Sequence, residues 1–174
     1  MKVANLVAQV LRDKGVKHVF VISGGASLHL IHAIAETEGI EFVCPQHEQA
    51  ASFAADAYAR LTGLGCAMAT SGPGATNLIT GIAASFYDSV PCIYIAGQVT
   101  TFRRADNYGG VRQFGFQETP IVPMVREITK YAVEVSDPAR VRYELDRCIA
   151  QAKCGRHGPT LLSLPDDIQR AEIA

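Results

Sequence analysis

Three short turns hold the residues whose types and spacing are best suited to chemistry. They are Ser23-Gly24-Gly25, Gln46-His47-Glu48 and Ser71-Gly72-Pro73-Gly74, and each directly follows an apolar run. Glycine lets the backbone approach a ligand closely, and the free amides at the start of a helix can receive an anion. Glycines also form plain tight turns between a strand and a helix, and spacing alone favours that simpler interpretation.

Glu48 is the carboxylate with the most chemical promise, because it stands in the first turn of an alanine-rich helix predicted for His47–Arg60. A glutamate there also stabilises the positive end of a helix, and the pattern alone favours that role. The alanines of this helix are too small to fill a core by themselves. They indicate that another backbone packs close to the helix, and a second copy of the chain is one candidate.

The segment Gly72–Asn77 comes close to a dinucleotide-binding fingerprint but departs from it. Asn77 replaces the third glycine, and Pro73 follows the first. The fingerprint also needs an acidic residue about 20 positions on, and Tyr94–Val99 contains none. A nicotinamide cofactor is therefore disfavoured.

Other polar clusters have simpler explanations. Cys44 and His47 have the spacing of half a zinc site, but no second pair complements them, so no metal ligand is predicted. The segment Gln98–Gln117 is polar and aperiodic, and it is predicted to be a long loop that is functional or mobile. Its arginines could contact a phosphate or nucleic acid, but a solvated loop is favoured. They are Arg103, Arg104 and Arg112.

The elements that must position these turns alternate between strand and helix. The strands are continuous apolar runs, which are typical of a parallel sheet buried on both faces. The pattern predicts an α/β fold: a three-layer open sheet of about six mostly parallel strands with helices on both faces. In such a sheet ligands bind at the carboxyl ends of the strands, where all three turns lie. The predicted strands are His18–Ile22, Glu41–Cys44, Cys66–Thr70, Pro91–Ala96, Tyr131–Val135 and Thr160–Leu164.

The predicted helices complete this alternation. One runs from Ala75 to Tyr87, and another is capped by Asp137 and ended by Gly155. No helix is predicted after Pro165, where the chain looks like an exit from the domain.

Length and composition fit one globular domain spanning residues 1–174. The 16 basic and 17 acidic residues give a net charge of −1, which disfavours a nucleic-acid or membrane surface. The uncharged stretch Leu61–Tyr87 is interrupted by Ser71–Gly74 and is predicted to be buried core. The start of the chain does not resemble a signal peptide. The five cysteines are an odd, scattered number, which suits buried thiols in a cytoplasmic protein.

Taken together, the turns resemble the thiamine-diphosphate enzymes, and most closely the N-terminal, pyrimidine-binding domain of acetolactate synthase and its relatives. The resemblance covers essentially the whole chain in the right order. Its motifs are Val19-Phe20, Gly24-Gly25-Ala26, Gln46 to Ala51, Ala57 to Arg60, Thr70 to Asn77, Asp88 to Pro91, Ala96 to Gln98, Phe116-Gln117-Glu118, Gly155 to Pro159 and Leu164 to Gln169.

The resemblance implies roles for particular residues. Glu48 matches the family glutamate that hydrogen-bonds N1′ of the aminopyrimidine and so promotes loss of the thiazolium C2 proton. Two groups flank it. The cofactor side is Thr70, Ser71, Gly72, Pro73, Gly74 and Asn77. The substrate side is Ser23, Gly24, Gly25, Phe116 and Gln117.

The implied activity is decarboxylation and carboligation of 2-keto acids, a lyase or transferase reaction, by a homodimer. The family holds the diphosphate through Mg²⁺ on a separate domain with a Gly-Asp-Gly motif, and this sequence contains no such motif. Isolated, the chain is therefore expected to be inactive. It is expected to be either a truncated part of an acetolactate synthase-like enzyme or the alpha subunit of a split 2-keto acid decarboxylase. A non-catalytic oligomerisation module is a further alternative, and FAD is possible but unsupported.

Two departures from the family pattern concern the product. Ile22-Ser23 replaces the aromatic residue and proline that usually precede the paired glycines, and the arginine-bearing loop Thr101–Gly115 is unusual.

Overall fold

Six parallel strands form a single open sheet in the computed structural model of the chain, which describes residues 1–173. Their spatial order is β2-β1-β3-β4-β6-β5, and every neighbouring pair is parallel. The predicted fold class is therefore confirmed. The strands are β1 His18–Val21, β2 Glu41–Val43, β3 Gly65–Ala69, β4 Cys92–Gln98, β5 Tyr131–Glu134 and β6 Thr160–Pro165.

Helices cover both faces of the sheet and create two separate cores. Alternate residues of a strand point to opposite faces, so Cys66 and Met68 of β3 enter one core while Ala67 and Ala69 enter the other. The first core also contains apolar residues of α1, α2 and α7, and the second contains those of α3, α5 and α6. The helices are α1 Val3–Asp13, α2 Leu28–Glu36, α3 Glu48–Thr62, α4 Pro73–Asn77, α5 Ile79–Tyr87, α6 Ile121–Val125, α7 Val141–Lys153 and α8 Asp166–Arg170.

The order in which the strands are added to the sheet reverses at β1, and this leaves a crevice between the carboxyl ends of β1 and β3. The chain passes from β1 to β2 on one side and then to β3 on the other side of β1. In open α/β sheets, ligands bind beside the carboxyl ends of the strands at such a switch point. The turns Ser23–Gly25 and Ser71–Gly74 follow β1 and β3 at this edge.

The helix predicted for Ala75–Tyr87 is wrong in one respect, because two helices occupy this region. The first already begins at Pro73, and Leu78 separates the two. At the junction the amide of Leu78 donates to the carbonyl of Ala75, a tighter bond than that of a regular α-helix. The break lies directly after Asn77, whose side chain is engaged elsewhere.

Two short helices were not predicted, and one of them corrects the interpretation of the C-terminal segment. In α8, Gln169 is fully buried, and its Nε2 donates to the carbonyls of Ala26 and Leu164 at 2.7 and 2.8 Å. Further on, the amide of Val3 donates to Ala171, and Lys2 forms an antiparallel bridge with Glu172. The segment after Pro165 is thus packed into the domain. The other short helix is α6.

No helix within residues 1–173 combines the length and apolar character needed to cross a membrane.

Candidate functional site

Thr70 is the residue on which the turns of the crevice converge. Its Oγ1 accepts a hydrogen bond from the amide of Ala26 at 3.1 Å. A Cβ placed on Gly24 would lie 2.4 Å from the Cβ of Thr70, and one on Gly74 would lie 2.8 Å from its Cγ2. Real Cβ atoms do not approach so closely, so both backbone segments can reach Thr70 only because they carry glycine. Thr70 therefore sets the spacing between the turn after β1 and the turn after β3.

Glu48 is the first residue of α3, and its carboxylate is half-buried beside the start of α4. The Nδ2 of Asn77 donates to its Oε2 at 2.9 Å. A Cβ on Gly74 would lie 3.4 Å from Oε1, so the glycine leaves open space beside this oxygen. Within residues 1–173 no hydrogen bond reaches Oε1. One oxygen of Glu48 is thus held, and the other remains available to a ligand.

The helix start that presents Glu48 is formed by local sequence. His47 has an extended backbone, and its Nδ1 accepts a hydrogen bond from the amide of Gln49 at 3.1 Å, which caps α3. The helix ends at Thr62, where Gly63 adopts a left-handed φ of 85°. The predicted position of Glu48, at a helix start beside the strand ends, agrees with the structure.

Gly72 forms the contact between the turn after β3 and the long loop. Its φ is +59°, and a Cβ there would lie 2.6 Å from the carbonyl oxygen of Gln117. Gln117 also has a positive φ of 58°, which is uncommon for a residue other than glycine. Both unusual backbones meet at one point, where Phe116 projects outward with 84% of its surface exposed.

A cleft of about 270 Å³ is lined by Thr70. Five predicted site residues line it, and seven do not. The five are Gly25, Thr70, Ser71, Phe116 and Gln117, and the seven are Ser23, Gly24, Glu48, Gly72, Pro73, Gly74 and Asn77. Ser23 is exposed. The lining comes from five segments: Gly25 and Ala26, Thr70 and Ser71, Gln98 to Thr100 with Arg103, Phe116 and Gln117, and Asp166.

Glu118 holds the long loop in place, a role that the sequence did not indicate. Its side chain is only 6% exposed, and it accepts hydrogen bonds from the amides of Ala105, Phe114 and Gly115 and from Nε of Arg104. Burial by itself would raise the pKa of Glu118, but these donors outweigh it and lower the pKa below its ordinary value.

Arg104 links this loop to the sheet and corrects one expectation. It was expected to be solvated, but its side chain is only 18% exposed and pairs with Glu118 and with Glu134 at the end of β5. Arg103 and Arg112 are exposed, as a solvated loop predicts. The segment is a loop as predicted, with two 3₁₀ turns at Thr101–Arg103 and Ala105–Tyr108.

The alanines of α3 divide into two groups. Ala51, Ala55 and Ala59 are buried in the domain's own interior, and a Cβ on Gly65 of β3 would lie 2.0 Å from the carbonyl oxygen of Ala55. The backbone that packs against this side is therefore the domain's own sheet, which the sequence could not distinguish from a second chain. The opposite side leaves an exposed stripe of small and apolar residues, called here the α3 stripe: Ala50, Phe53, Ala57 and Leu61.

None of the five cysteines forms a disulfide. Cys66, Cys92 and Cys148 are buried as predicted, but Cys44 and Cys154 are exposed. Burial is the main cause that raises the pKa of Cys92 and of Cys148 to about 12. Groups of three or more His, Cys, Asp or Glu side chains able to hold a metal do not occur within residues 1–173.

The chain belongs to the family described as "Thiamine pyrophosphate enzyme, N-terminal TPP binding domain", which its residues 1–121 match. This agrees with the resemblance that the turns carry, since Glu48, Thr70–Asn77 and Phe116–Gln117 all fall within the matched residues.

Proteins similar to the chain are acetolactate synthases. It is 42% identical over 170 residues to "Acetolactate synthase, chloroplastic" of Arabidopsis thaliana, covering 97% of this chain and 24% of that protein. It is 41% identical over 165 residues to "Acetolactate synthase large subunit" of Haemophilus influenzae, covering 94% of this chain and 28% of that protein. The chain therefore spans about a quarter of the length of the relatives it matches.

Proposed function

We propose that residues 1–174 form the pyrimidine-binding domain of an acetolactate synthase-like enzyme that decarboxylates and carboligates 2-keto acids with thiamine diphosphate. One observation carries the proposal: Glu48 begins α3 with Oε2 held by Asn77 and Oε1 left for a ligand, beside the glycine turn 72–74. A helix-start glutamate with no further role would not need a dedicated amide partner from another helix.

The groups present fit the aminopyrimidine end of this cofactor. A ring nitrogen needs one hydrogen-bond partner in a fixed direction. The carboxyl group of Glu48 can supply it, because Asn77 fixes its orientation through one oxygen and leaves the other oxygen free. A flat ring also needs a close backbone approach, which Gly72 and Gly74 permit because they have no Cβ. The residues proposed to hold the ring are Glu48, Thr70, Ser71, Gly72, Pro73, Gly74 and Asn77.

Thiamine diphosphate, when bound, supplies the electron sink that the reaction of 2-keto acids requires. Glu48 would hold a proton on its carboxyl group and share it with the ring nitrogen of the bound pyrimidine, for which Oε1 is the available oxygen. Asn77 fixes the carboxyl rotamer by its hydrogen bond to Oε2. In the cleft that Thr70 also lines, Gly25, Phe116 and Gln117 would shape the space for the substrate. Ser23 and Gly24 do not line this cleft, and Gly24 would act only by letting the turn after β1 approach Thr70.

Substitution of Glu48 in the complete enzyme tests this proposal. Glu48→Gln keeps the size and one hydrogen bond but cannot hold the acidic proton. We expect turnover to fall by about 10² to 10⁴-fold, the usual range for a proton-transfer group, with a parallel fall in the exchange rate of the C2 proton of bound cofactor. Glu38→Gln, an exposed carboxylate outside the site, should match the wild type. Unchanged C2 exchange in Glu48→Gln would leave Glu48 only a helix-start residue.

We further propose that the diphosphate and Mg²⁺ are held by another domain or by a partner subunit. Metal and charge-assisted contacts supply most of the binding energy of a charged tail. The 174-residue chain alone should therefore bind thiamine diphosphate weakly and show no decarboxylation of pyruvate. Adding the Gly-Asp-Gly-bearing part, as a fusion or as a separate subunit, should restore binding and turnover together. If the chain is the alpha subunit of a split decarboxylase, adding the separate subunit should produce activity. If it is a non-catalytic module, neither the fusion nor the separate subunit should produce activity.

A second copy of the chain is the proposed partner of the α3 stripe. Phe53 is 42% exposed, and the neighbouring edge strand β2 exposes Phe42 and Val43 by 40% and 41%. Apolar surface of this kind around a helix that starts at the site favours a homodimer. Phe53→Glu should shift the complete enzyme toward monomers in sedimentation velocity, whereas Tyr143→Glu, exposed on α7, should not. Dimers of unchanged affinity in Phe53→Glu would contradict this interface.

The unpaired cysteines support a reducing, cytoplasmic location for the enzyme. Tagged protein expressed from its own gene should fractionate with soluble cytoplasmic markers, and the five cysteines of this domain should all react as free thiols after denaturation.

A further inference from the structure

Arg103 lies at the mouth of the 270 Å³ cleft, and its surroundings differ from those of the other charged lining residue. That residue, Asp166, has a partner at each carboxylate oxygen, with Nε2 of His29 at 3.4 Å from one and Nε of Arg170 at 3.6 Å from the other. Arg103 forms no ion pair with any of residues 1–173. Its guanidinium lies 5.8 Å from the ring centroid of its own neighbour Phe102. The cleft therefore presents one cation that the described part of the chain does not neutralise.

The backbone beneath Arg103 is anchored, although the side chain is free. Asp167 at the start of α8 accepts hydrogen bonds from the amide of Thr101 at 3.0 Å and from its hydroxyl at 2.5 Å. The amide of Arg103 donates to the carbonyl of Thr100 at 2.9 Å. A Cβ on Gly115 would lie 2.9 Å from the carbonyl oxygen of Arg103, so the loop packs tightly under this turn. A fixed backbone that carries an unpaired guanidinium limits the entropy lost when an anion binds.

We propose that Arg103 binds the carboxylate of the 2-keto acid and so selects anionic substrates, an inference that rests on the proposed function. A guanidinium forms paired hydrogen bonds with a carboxylate, which fixes both the position and the orientation of a small acid. The cleft is large enough for such an acid, and Thr70, Gly25 and Gln117 line it together with Arg103. Thr70 also lies close to Gly74, which is beside Glu48. Arg103 is thus a specificity-determining residue for the substrate's charge.

The test compares an acid with its neutral ester in the complete enzyme with thiamine diphosphate and Mg²⁺. Arg103→Gln should raise KM for pyruvate by about 10- to 100-fold, the range of a lost charge-assisted hydrogen bond. Methyl pyruvate has no carboxylate to lose as CO2, so it is measured as a competitive inhibitor, and its inhibition constant should stay at the wild-type value. The kcat for pyruvate should not fall, because the contact is made to a carboxylate that leaves as neutral CO2 and is therefore no stronger in the transition state than in the bound substrate. Arg103→Lys retains the charge without the paired geometry and should lie between the two. Arg112→Gln, exposed in the same loop but outside the cleft, is the matched control.

Each outcome decides the proposal. A selective rise in KM for the acid with partial rescue by Arg103→Lys supports it. An unchanged KM for pyruvate in Arg103→Gln, or an equal rise in the inhibition constant of the ester, overturns it and leaves the proposed function standing. If the wild-type enzyme turns over neither pyruvate nor other 2-keto acids with this cofactor, the proposed function fails and the role of Arg103 fails with it.

Discussion

The two walls of the crevice are held by different physical means. On one side, the turns after β1 and β3 meet at Thr70 through glycines that leave no space for a Cβ. On the other side, the loop from Val99 to Glu118 is held by charged groups. The buried carboxylate of Glu118 accepts hydrogen bonds from backbone amides of the loop, and Arg104 forms an ion pair with Glu134 of the sheet. Close packing is insensitive to pH and salt, whereas charge-based contacts respond to both. The difference teaches that the wall formed by the turns after β1 and β3 is fixed by shape, whereas the wall formed by the long loop responds to pH and salt.

The largest effect should come from breaking the shape-held wall at Gly97 of β4. A Cβ there would lie 2.0 Å from the backbone carbonyl oxygen of Ala26, which cannot move without displacing the turn after β1. Gly97→Ala should lower the free energy of unfolding by about 3 kcal/mol, at the upper end of overpacking, measured by urea denaturation of the chain. Gly25→Ala is the matched control, since nothing lies within 4 Å of its added Cβ. Equal stability of the two variants would refute the steric account.

The charge-held wall should respond to Glu118→Gln with a smaller loss of about 2 kcal/mol. The substitution leaves three amides with a weaker acceptor and removes the charge facing Arg104. Hydrogen exchange of the amides of Ala105 and Gly115 should become faster, while exchange in β3 and β4 should stay slow. Glu127→Gln, an exposed glutamate, should leave all of these rates unchanged.

The same wall should loosen in acid. The pKa of Glu118 is lowered in the fold from its ordinary value of 4.5. Its contribution is therefore fully present above 4.5 and is lost as pH falls through the lower, folded pKa. We expect the protection factors of the loop amides, which correct for the pH dependence of intrinsic exchange, to fall in the wild type below pH 4.5 and to be less pH-dependent in Glu118→Gln. If the loop of Glu118→Gln responds to acid as the wild-type loop does, the loss of protection must come from another carboxylate. Glu134, which also pairs with Arg104, is then the first candidate.

The smallest effect is expected for Asn77→Ala, which sharpens the comparison on the cofactor side. It removes one half-buried hydrogen bond to Glu48, worth about 1 kcal/mol. C2 exchange in the complete enzyme should therefore slow by about fivefold, with the fold unchanged. The control is Thr80→Ala, a substitution at an exposed position of α5, which should leave C2 exchange at the wild-type rate. A wild-type exchange rate in Asn77→Ala would show that the carboxyl group of Glu48 does not need to be oriented by Asn77.

The sequence was enough to predict the sheet and the position of Glu48, because the signals for both are local. The apolar runs of β1, β3, β4 and β6 are continuous. Asp137 acts as a cap by accepting from the amide of Ala139 at 3.0 Å, although the element it caps is the 3₁₀ turn Pro138–Arg140, and α7 starts only after that turn, at Val141. The break at Leu78 and the helix α8 have no such signal. They depend on partners distant in the chain, such as Glu48 for Asn77 and Ala26 for Gln169.

By itself, the sequence determined the alternation of strands and helices, the helix start at Glu48 and the glycines that permit close approach. These are properties of neighbouring residues: periodicity, caps and the missing Cβ. The tertiary structure alone decided that Thr70 lines the cleft whereas Glu48 does not, and that half of the α3 alanines are buried in the domain's own interior. It also decided that Arg104 is tied to Glu118 and Glu134 while Arg103 stays unpaired among the described residues. Adjacent arginines of one loop have the same local chemistry, and only the distant carboxylates that the fold brings to Arg104 make their roles different.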